Sequence, residues 1–357
     1  MLIRIDRESS EPAYIQIYHE MRNRIISGAF IKGSKLPSKR ELAGDCLVSV
    51  VTVEHAYRLL CDEGYCEMRQ RSGCYVKYSS DNFFTVSKTN KHYSQDDSSI
   101  VENKYNIPFS PVSTMLRKVI LDYGNRILMK SPNNGSPYLR DAICHYLSRC
   151  RNITVSSEQI IIGSGAEYLY GICIQMLGRE KTIALESPSY EKIRAVYTAN
   201  GAVCDMLEMD SEGICIKELH RTNAQILHVT PFNSFPSGIT ASAQRRKSYL
   251  EWARRRNAVI IEDDYDSEFT LNGNAPQTLF TQTGNDNVIY INTFSKTIAP
   301  SLRVGYMVMP EKLLPLYKKT VGFYSCTVPM LEQYFLAEWI NSGEFERTIN
   351  RVRNINK

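Results

Sequence analysis

Apolar positions along this 357-residue chain change their period about a quarter of the way in. In YIQIYHEMRNRIISGAF, residues Ile15, Tyr18, Met21, Ile25 and Ile26 keep helical spacing, and Gly28 supplies a stop. KGSKLPSKRELAGDCLVSVVTVEHAYRLLCDEGY then predicts two further short helices. Ser38 caps the first, with Glu41 at the capping-box position; Ser49 caps the second, which runs towards Asp62 and closes at Gly64. YCEMRQRSGCYVKY has the pattern of two short strands around Arg71-Ser72-Gly73, a hairpin.

From Tyr105 onward the pattern is different. Short, nearly continuous apolar runs (QIIIGSG, KTIALESP, QILHVTP, NAVIIEDD, NVIYINTF and RVGYMVMP) alternate with amphipathic helical segments such as YLRDAICHYLSRC, YEKIRAVYTANG and SAQRRKSYLEWARRRN. That alternation predicts an α/β domain with a mostly parallel sheet covered on both faces. Between the two zones, Ser79 to Lys104 is rich in Ser, Asn, Asp and Lys, without a sustained period. The expected organisation is a helical head with a hairpin at 1–78, a linker at 79–104 and the α/β domain at 105–357.

Composition narrows the class. With 43% hydrophobic and 23% charged residues the chain reads as globular. No run approaches the ~20 apolar residues needed to span a bilayer, and the opening residues lack a signal-peptide core. Ten cysteines include no C-x-x-C pair and no zinc-like spacing, which reads as thiols in a reducing cytoplasm and no metal site. The net charge of +5 is mild, so its distribution matters more. Lys32, Lys35, Lys39 and Arg40 cluster without an intervening acid, and Arg69, Arg71 and Lys77 lie on the hairpin. Two short helices joined by a tight turn form a helix-turn-helix whose second helix would enter the major groove, with the hairpin as a wing. Lys35, Ser38, Lys39, Arg40, Ser49, Thr52, Arg69 and Arg71 are the candidate contacts to double-stranded DNA. A packing domain with a solvated basic face would show the same charge. Helix order, caps and wing together favour DNA.

PAYIQIYHEMRNRIISGAFIKGSKLPSKRELA, VTVEHAYRLLCDEGY and SGCYV resemble the GntR family of bacterial transcription regulators, over the whole head. That family usually places an arginine after the serine that opens the recognition helix. Here the residue is Val50.

In the second zone, NTFSKTIAPSLRVG and IEDDYDSEF hold a lysine, an aspartate, a tyrosine and an arginine at or near strand ends. These are the parts needed to hold pyridoxal 5'-phosphate. Asp263 would keep the ring nitrogen protonated, and Tyr265 would bond the ring oxygen. Lys296 would form the Schiff base and Arg303 would take the phosphate, with Thr293 and Ser295 adding hydroxyls. Upstream, QIIIGSGAEYLYG presents the amides of Ser164, Gly165 and Ala166 at a helix start that suits a phosphate. Tyr190 could stack on the ring. Each signal alone is weak; a lone lysine or an acidic turn is usually surface.

TPFNSFPSG, IEDDYDSEF and TFSKTIAPSLRVGY resemble the fold-type I aminotransferases, and more narrowly the aminotransferase-like domain of MocR-type GntR regulators. The resemblance implies Lys296 as the internal aldimine lysine, Asp263 on the pyridine nitrogen, Tyr265 on the ring oxygen, and Arg303 with Thr293 on the phosphate. Asn233 falls with the cofactor contacts, although it and Ser234 stand where the family usually has histidine and glutamine. Lys130 stands where a tyrosine commonly serves the partner subunit's phosphate, and Lys192 where some relatives place a ligand-binding arginine. The family continues well past Lys357, through a segment that completes a small domain and carries a substrate-binding arginine. The expectation is therefore a cytoplasmic regulator with a C-terminally incomplete aminotransferase-like domain. It would form a head-to-tail homodimer and sense an amine or amino acid by aldimine exchange at Lys296. A working aminotransferase, and a regulator that keeps DNA but not cofactor, are the alternatives.

Overall fold

The computed structural model describes residues 5–6, 9, 11–69, 72–78, 109–265, 268, 277–282, 287–295, 297–299 and 301–355. The chain divides into two compact units, Met1–Ser98 and Ser99–Lys357. The expected linker, Arg71 and Lys296 lie outside the described residues.

The first unit contains α1 (Ala13–Ile26), α2 (Lys39–Cys46), α3 (Val50–Asp62), β1 (Cys66–Arg69) and β2 (Gly73–Val76). Ser38 caps α2 in a complete capping box with Glu41. Ser49 caps α3 by accepting from the Thr52 amide at 3.1 Å. Such caps contribute about 1 kcal/mol each. Leu47, at φ 54°, turns the chain between α2 and α3. β1 and β2 pair antiparallel from Cys66–Val76 to Arg69–Gly73, the wing hairpin. The core packs Ile17, Tyr18, Met21 and Ile25 of α1 against Leu42, Val53, Tyr57 and Leu60. The apolar stripe on α1 is rotated from the expected one: Ile17 is fully buried, whereas Ile26 is 43% exposed. Residues 17, 21 and 25 line up at 3.6 residues per turn, and 26 falls one step of about 100° beyond them.

The second unit opens with α4 (Phe109–Tyr123) and α5 (Pro137–Arg151), followed by β3 (Ile160–Gly163), α6 (Ala166–Leu177), β4 (Thr182–Ser187) and α7 (Glu191–Ala199). Then come β5 (Val203–Asp210), β6 (Gly213–Ile214), α8 (Ile216–Arg221), β7 (Ile226–Val229), α9 (Ala243–Arg256), β8 (Val259–Asp263) and α10 (Leu279–Gln282). The unit continues with β9 (Val288–Thr293), β10 (Gly305–Val308), α11 (Leu314–Thr320), α12 (Met330–Asn341) and α13 (Glu344–Ile355). The eight strands lie in the order β3-β10-β9-β8-β7-β4-β5-β6. β5, β4, β7, β8 and β9 are parallel neighbours, while β10 runs antiparallel to both β3 and β9.

Alternation along the strands divides the apolar side chains between two cores, one on each face. Ile160, Ile162, Ile260, Tyr290 and Tyr306 point into one. Ile161, Ile261, Ile289, Ile291 and Met307 point into the other. The anticipated two-sided α/β sheet is thus the observed one. β5 and β6 are additions to it, because acids at Asp205, Glu208 and Asp210 interrupt the apolar run expected of a buried strand. Among the described residues, no helix is long and apolar enough to cross a membrane, and no cluster of His, Cys, Asp or Glu could hold a metal ion.

Candidate functional site

Parallel strands bring their carboxyl ends to one edge of a sheet, where ligands bind in α/β folds. Asp263 ends β8, Thr293 ends β9, and Thr230 follows β7. Because β10 is antiparallel, its start lies at the same edge. Gly305 pairs with both Thr293 and Gly163, so Arg303 and the turn leading into α6 meet there. A cavity of about 340 Å³ lies along this edge. Ala166, Glu167, Tyr170, Tyr190, Ile193 and Thr230 line one part of it, with Phe235, Asp263, Tyr265, Thr293, Ser295 and Arg303.

Asp263 is 2% exposed. The buried Tyr170 hydroxyl donates to its Oδ2, and His228 Nε2 stands 3.7 Å from the same oxygen. His228 Nδ1 shares a 2.7 Å hydrogen bond with the Tyr197 hydroxyl. Burial, and then the Asp263 charge, push the Tyr170 phenol well above its ordinary pKa, so it remains a donor. Asp263 Oδ1 is buried and has no hydrogen-bond partner among the described residues. A buried carboxylate oxygen without a donor is costly. A protonated ring nitrogen in the cavity would satisfy it.

The other predicted residues are placed as follows. Tyr190 stands at the start of α7, its ring edge-on to Phe235 at 5.8 Å, and the two form an aromatic wall. The Tyr265 hydroxyl donates to the Asn233 carbonyl at 3.1 Å. Asn233 itself has a positive φ of 57° and is not among the lining residues. Ser295 Oγ donates to the Leu302 carbonyl at 3.1 Å, tying the segment before Lys296 to the one before Arg303. The helix-start amides are only partly available. Ser164 N–H donates to Thr327 Oγ1 at 3.1 Å and Gly165 N–H to the Gly163 carbonyl at 2.8 Å. Ala166 N–H, the first of α6, has no partner among the described residues. Gly165 has φ +90°, and a Cβ there would stand 3.1 Å from Arg303 Nη2, so the turn lets the guanidinium lie against the backbone. Lys130 is exposed, and Lys192 Nζ sits 5.9 Å over the Tyr190 ring.

Several contributors escaped the sequence reading. Tyr170 and Tyr197 lie in apolar helical segments where a tyrosine reads as core. His228, alone in the buried strand ILHV, was the available signal for the group behind Asp263. Glu186 is buried at the same end of β4 and accepts from Ser234 Oγ at 2.7 Å. Desolvation pushes its carboxyl up to about 8. Glu167 accepts from Arg303 Nη2 at 2.6 Å.

In the first unit, Lys35 pairs with Tyr75 beside the wing, its side chain against Gly73. Arg69 stacks over the Tyr75 ring at 4.4 Å and bridges to Glu67. Lys39 is held by Glu54 of α3 at 2.6 Å, whereas Arg40 is exposed, with no acidic partner among the described residues. The Ser38 and Ser49 hydroxyls are engaged as caps, and Thr52 Oγ1 meets Ser49 Oγ at 2.8 Å. Val50 and Val51, 42% and 59% exposed, open the outer face of α3.

Comparison with known proteins bears on both units. Residues 13–76 match the model of bacterial regulatory proteins, gntR family, and residues 109–357 match aminotransferase class I and II. The chain is 33% identical to the uncharacterized HTH-type transcriptional regulator YdeL of Bacillus subtilis (strain 168), over 98% of this chain and 78% of the relative. It is 28% identical to the probable rhizopine catabolism regulatory protein MocR of Rhizobium meliloti, over 98% and 76%. Among solved structures, a Pyrococcus horikoshii kynurenine aminotransferase in complex with PMP superposes with a TM-score of 0.62 at 23% identity, over 70% of this chain. This chain spans 64% of that protein's length. That likeness establishes the fold.

Proposed function

The chain belongs to the gntR family of bacterial regulatory proteins, in the MocR-type branch that carries an aminotransferase class I and II domain, and from that premise we propose a pyridoxal phosphate-dependent DNA-binding regulator that senses an amine or amino acid. The observation that carries the cofactor reading is Asp263: a buried carboxylate with one oxygen held by Tyr170 and the other without a partner among the described residues, in a cavity walled by Tyr190 and Phe235. That geometry fits a pyridinium ring better than an aliphatic ligand. Arg303 and the Ala166 amide, both of the cavity lining, would hold the phosphate, Tyr265 would serve the ring oxygen with Asn233 behind it as the acceptor of its hydroxyl, and Lys296, next in sequence to Ser295, would carry the aldehyde carbon.

When bound, pyridoxal phosphate supplies a carbonyl that captures amines and a ring that draws off electrons. The chain's own residues would orient the ring, keep its nitrogen protonated through Asp263 and exclude water with the aromatic wall. Lys296 would be the residue that holds the group and that an amine effector displaces. Lys296 would thus be held differently with and without an amine, the differential contact by which a ligand would bias DNA affinity. In the head, Lys35, Arg40, Arg69 and Arg71 would neutralise phosphates, and α3 would lie in the major groove with Thr52 near its entry. A linker at 79–104 would reach roughly 90 Å when extended, enough to serve a neighbouring subunit of a head-to-tail homodimer. The large apolar side chains Leu121, Leu128, Met129 and Phe323, each exposed, supply surface for such a contact. We place the protein in the cytoplasm, where operator DNA is.

Lys296→Ala tests the sensor. The variant is expected to lose the near-visible absorbance that pyridoxal phosphate acquires on a lysine. It should also lose the effect of amines on DNA binding, while keeping DNA affinity itself. An amine response retained in the variant refutes the mechanism.

A further inference from the structure

Glu167 occupies a place that the proposed cofactor needs. It is the second residue of α6, at the positive end of the helix, and it lines the same cavity as Asp263. Its Oε2 accepts from Arg303 Nη2 at 2.6 Å, and its Oε1 stands 3.4 Å from Lys192 Nζ. The three side chains are 35%, 51% and 62% exposed for Glu167, Arg303 and Lys192, so the cluster sits at the cavity mouth rather than in the core. Arg303 lies against the Gly165 turn, and Ala166 lines the same cavity. Among the described residues, Arg303 and Lys192 both already face the Glu167 carboxylate.

An incoming phosphate dianion would meet that carboxylate within the reach of a single guanidinium. Like charges at this distance repel, and Arg303 cannot direct the same N–H at both. Lys192 offers the displaced carboxylate an alternative partner, already 3.4 Å away. Arg303 can then turn from Glu167 to the phosphate without leaving Glu167 unpaired.

We propose that Glu167 is a resident counter-ion of the phosphate subsite, which lowers the affinity for phosphate-bearing cofactor by competing for Arg303. The inference rests on the cofactor reading above. It makes occupancy of the site responsive to the concentration of free pyridoxal phosphate instead of permanent. Glu167 is a specificity-setting residue here: it acts on the phosphate end of the ligand and leaves the ring end to Asp263.

The test is a spectral titration of the full chain and of Glu167→Gln with pyridoxal phosphate and, separately, with pyridoxal, which lacks the phosphate. Glutamine keeps the length and the helix position but removes the charge. The variant is expected to bind pyridoxal phosphate about fivefold more tightly at low salt, a gap that narrows as salt screens the repulsion. Its affinity for pyridoxal should move by less than about twofold, which also shows that the pocket is intact. Equal or weaker binding of pyridoxal phosphate by the variant, where the parent chain binds it, overturns the counter-ion role and leaves the cofactor reading standing. Equal tightening of both ligands also overturns it, since the effect would not lie at the phosphate. If neither protein binds pyridoxal phosphate, both readings fall together.

Discussion

At the scale of single residues, Asp263 and Glu186 make different demands on the same sheet edge. Asp263 has one buried oxygen without a hydrogen-bond partner among the described residues, which in the proposed reading serves the ligand. Asp263→Asn removes the charge while leaving an oxygen for the Tyr170 hydroxyl, so the fold should persist. Affinity for pyridoxal phosphate should fall about tenfold or more, the worth of a charged hydrogen bond of roughly 1.5–3 kcal/mol. A binding titration that finds no change would remove Asp263 from the site. Glu186 has the opposite character. Burial raises its carboxyl from 4.5 to about 8, so the folded state holds a proton that the unfolded state releases earlier. The stability it contributes is complete below pH 4.5 and is lost as pH rises through about 8. Glu262, raised to about 8 by burial, and Glu268, raised to about 7, share that sign. Urea unfolding of the parent chain should therefore show stability declining across this window, and Glu186→Gln should flatten part of the decline. An unchanged slope in the variant would mean that Glu186 does not titrate there.

At the scale of elements, the direction of β10 decides whether a site forms. Sequence alone marks Arg303 and Gly305 as near a strand. It does not mark that the strand runs antiparallel and delivers Arg303 to the edge where Asp263 and Thr293 end. Strands β3, β4, β7, β8, β9 and β10 were legible because each is a short run buried on both faces. β5 was not, because Asp205, Glu208 and Asp210 give it the look of a loop. The caps Ser38 and Ser49 were legible because a hydroxyl before a helical pattern has few other uses. Their engagement in capping was not a reason to expect them on DNA as well. The helix start at α6 was half legible: the Gly-Ser-Gly turn was evident, but not that Thr327 and Gly163 take two of its amides. Gly165→Ala places a Cβ at φ +90°, against Arg303, and should cost about 1–2 kcal/mol of stability and weaken pyridoxal phosphate binding. Thermal melts and titration of that variant check both. At α3, the family's usual arginine is replaced by Val50, which is 42% exposed on the outer face. Val50→Arg should strengthen DNA binding and steepen the dependence of log affinity on log salt by about one. A salt titration that leaves the slope unchanged would take that position off the phosphate backbone.

At the scale of the whole molecule, two units that match different family models share one chain. The gntR-type head and the aminotransferase-type unit were each recognisable from short local motifs: the capped helices and hairpin of the head, and the strand-end segments that hold Asp263 and Arg303. The polar groups behind Asp263 were hidden, since Tyr170, Tyr197 and His228 sit in segments that read as core and meet only in three dimensions. What joins the units functionally is the proposed exchange at Lys296, so the central claim is a coupling between cofactor chemistry and DNA affinity. The most direct measurement is the DNA affinity of the full chain, by fluorescence anisotropy on a genomic fragment it selects. The titration is made with pyridoxal phosphate bound, with and without a panel of amino acids and amines, and is repeated with Lys296→Ala. The account predicts that at least one amine shifts the affinity of the parent chain by about fivefold or more, the lower end of ordinary coupling energies, and leaves the variant unmoved. An equal shift in both proteins, or DNA affinity indifferent to cofactor and amine alike, would contradict it.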